Sequence, residues 1–287
     1  MNFFGDNPGN KMNHALDIET FPTLPYIAHE ILTILNDTKS DIDEIAAMIS
    51  KEPSLTARIV ATANSAFYSG QRPIFSIDDA IVRLGLNRVK VLASSILLAD
   101  SFDASRCPGF KLDEYWYIAV QVSFCASKIV KALGASEHAD AAYLAGLLHN
   151  IGMLLLVHIF PDEMGNVFKA QEQDANTPIS EYEDKVLGCD HHQSGRMLLA
   201  EWQLPEESIA AAEFYGDINY SGEYADIVKV VSFCREWVLS SFNQAFFEEY
   251  KDNDILISID QKKLEKIRSE CLAEEEQVRS FAQLLAN

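Results

Sequence analysis

Between Ala142 and Val157 the chain reads AYLAGLLHNIGMLLLV, an apolar run broken at its centre by His149 and Asn150. A helix that is apolar all round is a buried one. An unsatisfied polar group inside it costs about 1–3 kcal/mol, so both residues must find partners within the fold. The segment is expected to form a central helix over about 139–160. Length admits a second reading, because Ala141–Phe160 is about long enough to cross a bilayer. Yet His149, Asn150 and His158 interrupt it, and the Asp162 and Glu163 that follow are acidic. A core helix is expected, with His158 on the opposite face from His149 and unable to share a site with it.

The rest of the chain is punctuated for helices as well. Pro25 suits the first turn of a helix that carries Ile27, Ile31, Leu32 and Leu35 on one side. Ser40 with Asp43, or Asp41 with Glu44, caps a second helix with Ile42, Ile45, Ala46 and Ile49 inside. Leu55–Ala63 follows. Ser76 with Asp79 caps Ile77–Leu84, which Gly85 ends, and Asn87–Phe102 is a longer apolar helix. Cys107-Pro108-Gly109 marks the best internal boundary. Beyond it helices are expected near 113–133, 162–173, 179–187, 191–203, 206–214 and 224–241, with one or two in 260–285. The caps place helix starts near 41, 77 and 191. No segment shows the period-two alternation of a strand, so the chain is expected to be all-α. Residues 1–20 read as a loose polar leader. After it come a helical lobe over about 21–105, a second over about 110–240, and a helical extension over 241–287.

The 287 residues carry a net charge of −20, which argues against non-specific binding to nucleic acid or an anionic membrane. Half of the excess lies in 161–217, where 13 acidic residues face 3 basic ones. That stretch is either a solubilising face or an acidic docking surface. The cysteines (Cys107, Cys125, Cys189, Cys234 and Cys271) have no zinc-site or redox-motif spacing and read as buried thiols of a cytoplasmic protein. The N-terminus lacks the basic start and apolar core of a signal peptide. His-Glu-x-x-His, phosphate-loop, nucleophile-elbow and dinucleotide motifs are absent.

Three pieces of the chain, in order, carry a family resemblance. They are FPTLPYIAHEILTIL (21–35); ISKEPSLTARIVATANSAFY (49–68) with SIDDAIVRLGLNRV (76–89); and AGLLHNIGMLLL (145–156) with GCDHHQSGRMLLAEWQLPEESIAAA (188–212). Together they resemble the HDOD domain, a bacterial signalling module related to the HD metal-dependent phosphohydrolases, over about residues 21–240. The resemblance implies two packed helical lobes, the second of them HD-like. It also implies departures from an active HD site. The first ligand histidine would fall near Ile118, the His-Asp pair is His149-Asn150, a later histidine pair aligns with Phe214-Tyr215, and the last acid would lie near Ser232. His149 and His191 remain at family positions.

The candidate remnant site is therefore His149, Asn150, Asp190, His191 and Glu183. His149 is expected to be a core histidine satisfied by its neighbours, and Asp190 the N-cap of the helix that follows it. Of His191 and His192, one is expected to face inward and the other outward. Arg58, Asn64 and Ser65 belong to the second motif and are expected to be structural, with Asn64-Ser65 closing a helix, since Asn tolerates left-handed geometry and, with Ser, can hydrogen-bond the terminal backbone groups and the neighbouring loop. Trp116, Trp202 and Trp237 are expected in the core.

A neutral amide at 150 is a poor anchor for a divalent ion, so no cofactor is expected. The expected function is non-catalytic bacterial signal transduction through contacts with signalling proteins supplied in trans, with no nucleic-acid or membrane partner. The main alternative is a phosphohydrolase of phosphoesters or cyclic nucleotides that holds iron, manganese or zinc through His149 and His191. The other is a sensor that binds a small nucleotide without turnover.

Overall fold

The computed structural model describes residues 16–36, 40–64, 72–217, 219–243 and 259–286. Every regular element among them is helical. Five helices form the N-terminal part: α1 (Tyr26–Asn36), α2 (Ile42–Ser50), α3 (Pro53–Ala63), α4 (Ile77–Leu84) and α5 (Leu86–Ala99). After the Cys107–Gly109 corner come α6 (Leu112–Ala132), α7 (Ala139–Leu148), α8 (Ile151–Ile159), α9 (Pro161–Gln173), α10 (Ile179–Leu187), α11 (His191–Glu201), α12 (Glu206–Phe214) and α13 (Ala225–Leu239). The chain ends in α14 (Gln261–Ala273) and α15 (Glu275–Leu285). Of the leader, residues 1–15 lie outside the described residues, and Ile18–Thr20 form a 3-10 turn.

The local signals that set these boundaries act as their chemistry requires. The Asp41 carboxylate accepts from the Glu44 amide at 2.8 Å and the Ser76 hydroxyl from the Asp79 amide at 3.1 Å. Each satisfies an amide in the first turn that has no partner within the helix. Gly85 stands between α4 and α5 with φ of +86°, a left-handed value that lets one helix stop and the next begin without a linker. The third helix begins earlier than Leu55, because Pro53 occupies its first turn, where a missing N–H costs nothing.

Helix α6 is the structural axis and packs against α7, α13, α14 and α15. One buried apolar cluster runs through α1–α5, α6–α8, α11 and α15, so residues on both sides of 105–110 share it. A second lies between α6, α13 and α14, where Cys125, Cys234 and Cys271, far apart in sequence, come into thiol contact. The three tryptophans are buried. The stretch Ser136–Ile159 is long and apolar enough to span a membrane, and 78% of its most apolar window is buried by the other helices.

The expected single helix over 139–160 is two helices. It breaks at His149-Asn150, with Asn150 at φ −113° and ψ 23°. At this corner His149 bonds back to the Gly146 carbonyl and Asn150 accepts a hydroxyl from a distant part of the chain, Tyr215. His158 accepts from the Asp103 amide at 2.9 Å and packs edge-on to Phe102, well away from His149.

Candidate functional site

The α7–α8 corner fixes the first half of the site. His149, 1% exposed, donates from Nδ1 to the Gly146 carbonyl at 2.7 Å, which leaves Nε2 as a bare acceptor with no partner among the described residues. Burial, with the Arg235 charge second, pushes its pKa down to about 3, so the imidazole is neutral. Asn150 uses its amide oxygen to accept the Tyr215 hydroxyl at 3.1 Å, and its carbonyl lies 3.4 Å from the Tyr115 hydroxyl.

The second half comes from α10 and α11, of which α11 meets α8 at a close crossing. Gly188 ends α10 in left-handed geometry, and two residues later Asp190 caps α11 by accepting from the Gln193 amide at 2.8 Å. This corner turns Glu183 back onto the start of α11. One carboxylate oxygen accepts both the His191 amide at 2.9 Å and the His191 ring Nδ1 at 2.5 Å. Glu183 is wholly buried, unlike the exposed majority of the acidic stretch 161–217. The positive end of the α11 dipole explains how a carboxylate tolerates that position. Its other oxygen has no partner among the described residues.

His191 faces inward and His192 is half-buried, with its ring 4.2 Å from that of His191. His192 donates from Nδ1 to the Ala212 carbonyl at 3.4 Å. Burial first, and the neighbouring His191 second, lower its pKa to about 4.

Tyr215 joins the two halves. Its ring lies 4.9 Å from His149, 4.6 Å from His192 and 6.0 Å from His191, with the Arg235 guanidinium 5.1 Å above it. Burial raises its phenol pKa well above the usual value. In the sequence, position 215 stands out only as one where the family resemblance leads a histidine to be expected, with no role for the tyrosine itself. A tyrosine that needs a hydroxyl partner when buried, in a chain with an unexplained asparagine inside an apolar run, was the available signal. His191, His149 and Asn150 thus meet around one aromatic ring, with Glu183 bonded to His191, while the Asp190 Oδ1 is engaged in its capping bond. Ile118 is partly buried in apolar packing, and Ser232 bonds back to the Val228 carbonyl.

The Arg58 and Asn64 pair lies elsewhere, on α3. Arg58 makes an ion pair with Asp100 at 2.6 Å. Asn64 is right-handed, with φ −93°, and not left-handed as expected. Its amide clamps Ile74 in both directions, donating to the carbonyl at 2.8 Å and accepting the N–H at 2.9 Å, and its oxygen also takes Arg83 at 3.0 Å. That loop bond, and not a φ reversal, is what Asn supplies. Ser65 lies outside the described residues. Asn64→Ala is expected to cost about 1–2 kcal/mol in urea denaturation, since the Ile74 groups lose their partner; an unchanged midpoint would contradict the clamp.

The HDOD domain family model matches residues 21–218. An uncharacterised protein of Treponema pallidum is 24% identical over 220 residues, which are 75% of this chain and 42% of that protein. The chain thus spans less than half the length of that curated relative. A candidate phosphohydrolase of Shewanella amazonensis superposes with a TM-score of 0.74 at 21% identity, over 93% of this chain and 96% of its own. A candidate signal-transduction protein of Marinobacter aquaeolei gives 0.77 at 23% identity, over 93% and 60%. These likenesses establish the fold.

Proposed function

This chain belongs to the HDOD domain family, and from that premise we propose that it is a non-catalytic regulatory protein of bacterial signal transduction. It works in the cytoplasm through contacts with other signalling proteins, and its HD site has become a packing element. The observation that carries this reading is the Tyr215 ring, buried between His149 and His191 with its hydroxyl bonded to Asn150. Activated-water hydrolysis needs a metal held by several carboxylates and imidazoles. The donors at this position do not fit that requirement. Asn150 has spent its amide oxygen on Tyr215, and Asp190 its carboxylate on a cap. His149 Nε2 and Glu183 Oε1 remain open. Among the described residues no group of three or more His, Cys, Asp or Glu side chains is arranged to hold a metal.

Elemental analysis of protein purified without chelator, run beside a phosphodiesterase assay, tests the reading. Less than one tightly bound iron, manganese or zinc per chain and no turnover above background are expected. Stoichiometric metal, with hydrolysis lost in His149→Ala and His191→Ala, would overturn it in favour of the phosphohydrolase.

A further inference from the structure

Cations are the scarcer charge in this chain, 23 against 43 acidic residues, and four of them face one cavity. It encloses about 210 Å³ between α5, α6 and α7, with two carboxylates on its wall, Asp140 of α7 and Glu274 at the corner between α14 and α15. Arg88 and Lys90 reach it from α5, and Lys128 and Lys131, three residues apart on one face of α6, from the other side. The hydroxyl side chains Ser94 and Ser127 line it too.

The way these cations are held is informative. Lys90 has a side chain only 11% exposed and leans on Asp140 at 3.3 Å, a long contact for a charge withdrawn from water. Arg88 is held by Glu274 at 2.7 Å and Lys128 by Glu270 at 2.6 Å. Both carboxylates come from the C-terminal helices, so the chain supplies its own anions to a cationic cavity. Lys131, at the exposed rim, has no carboxylate partner among the described residues. The volume lies below the roughly 300–1,000 Å³ of pockets that engulf a drug-sized ligand. It suits the phosphate end of a molecule whose remainder stays outside.

We propose that this cavity binds a small phosphorylated ligand, with its phosphate among Arg88, Lys90, Lys128 and Lys131, and that Glu274 is the internal anion it displaces from Arg88. Ammonium groups and serine hydroxyls are the usual partners of phosphate oxygens. The Arg88–Glu274 pair is one of three ion pairs that join α14 and α15 to the rest of the fold, beside Lys128–Glu270 and Arg279–Glu114, and it adds to their apolar packing on α6. Occupancy therefore loosens the C-terminal helices, which gives the ligand a signal's role and in that respect rests on the regulatory reading above.

Calorimetric titration of the whole chain with inorganic pyrophosphate, and with sulfate at matched ionic strength, tests this. Saturable binding of one pyrophosphate is expected, with sulfate far weaker. Lys131→Gln and Lys128→Gln should weaken it about tenfold or more, the worth of one charge-assisted hydrogen bond, and Lys131→Arg should retain it. Glu274→Gln should tighten it severalfold, because the competing carboxylate is gone. Lys131 is exposed, so its variants remain decisive if Lys128→Gln does not fold. No saturable binding at millimolar pyrophosphate, equal affinity for sulfate, or indifference to Lys131→Gln would overturn the site; an unchanged affinity in Glu274→Gln would overturn the displacement. Phosphate release is measured in the same samples. Turnover there would overturn the non-catalytic reading while leaving the site standing, and loss of binding without turnover would do the reverse.

Discussion

Gly152→Ala is expected to destabilise the protein by about 3 kcal/mol or more, at the upper end of what overpacking costs. A Cβ at Gly152 would sit 1.9 Å from the His191 carbonyl oxygen, 2.5 Å from the Gly195 amide nitrogen and 2.8 Å from the Ser194 hydroxyl. The first two are backbone atoms of α11 and cannot rotate aside; relief requires α8 and α11 to part. Alanine's helix propensity returns only about 1 kcal/mol. Gly195→Ala on the opposite side of the crossing makes the control. Its nearest obstacle is the Gly152 amide nitrogen at 3.2 Å, so small shifts and the gain in propensity should leave it within about 1 kcal/mol of the parent. Because His191 begins α11 at this crossing, Gly152→Ala should also pull His191 off Glu183. Urea denaturation distinguishes the two variants, and equal midpoints would mean that the crossing is looser than described.

That crossing marks where sequence reasoning stops. Helix starts at Asp41, Ser76 and Asp190 were legible because a cap is a local bargain between a side chain and an amide three residues away. The stop at Gly85 was legible because a positive φ is a local requirement that glycine meets without strain. The break at His149-Asn150 was not, since hydropathy and spacing favour one continuous helix. What bends the chain there is held by Tyr215, 65 residues further on. Glu183 was named as a candidate, but its burial against the amide end of α11 depends on the α10–α11 corner. Asn64 shows the intermediate case. Its bonds to the loop were foreseen and its backbone geometry was not, because an asparagine amide serves equally in right-handed or left-handed conformations. Neither the gathering of cations from α5 and α6 nor their pairing with Glu270 and Glu274 leaves any trace in spacing, since 186 residues separate Arg88 from its partner.

Acidification should expose the energetic consequence of the buried histidines. His149 is held at about 3 and His192 at about 4, both below the ordinary 6.5 that they regain on unfolding. A histidine lowered in this way binds its proton in the unfolded chain first. Its contribution to stability is therefore complete above pH 6.5 and declines as pH falls from there toward the native value. Each contributes a slope approaching 1.4 kcal/mol per pH unit. From pH 7 to 4.5 the pair should remove about 5 kcal/mol from a margin that is typically about 5–15. The carboxylates Asp103 and Asp174, whose pKa values are lowered by hydrogen bonds to Ser105 and Thr177, lose their contribution only at still lower pH and do not mask the effect. His149→Asn retains a donor for the Gly146 carbonyl but cannot titrate, and His192→Asn does the same toward Ala212. Urea midpoints measured from pH 7.5 to 4.5 should fall steeply in the parent, by about one proton's slope less in each single variant, and be nearly flat in the double variant. A parent whose stability holds to pH 4.5, or a His149→Asn variant with the parent's slope, would mean that the imidazole at the α7–α8 corner is reached by water after all.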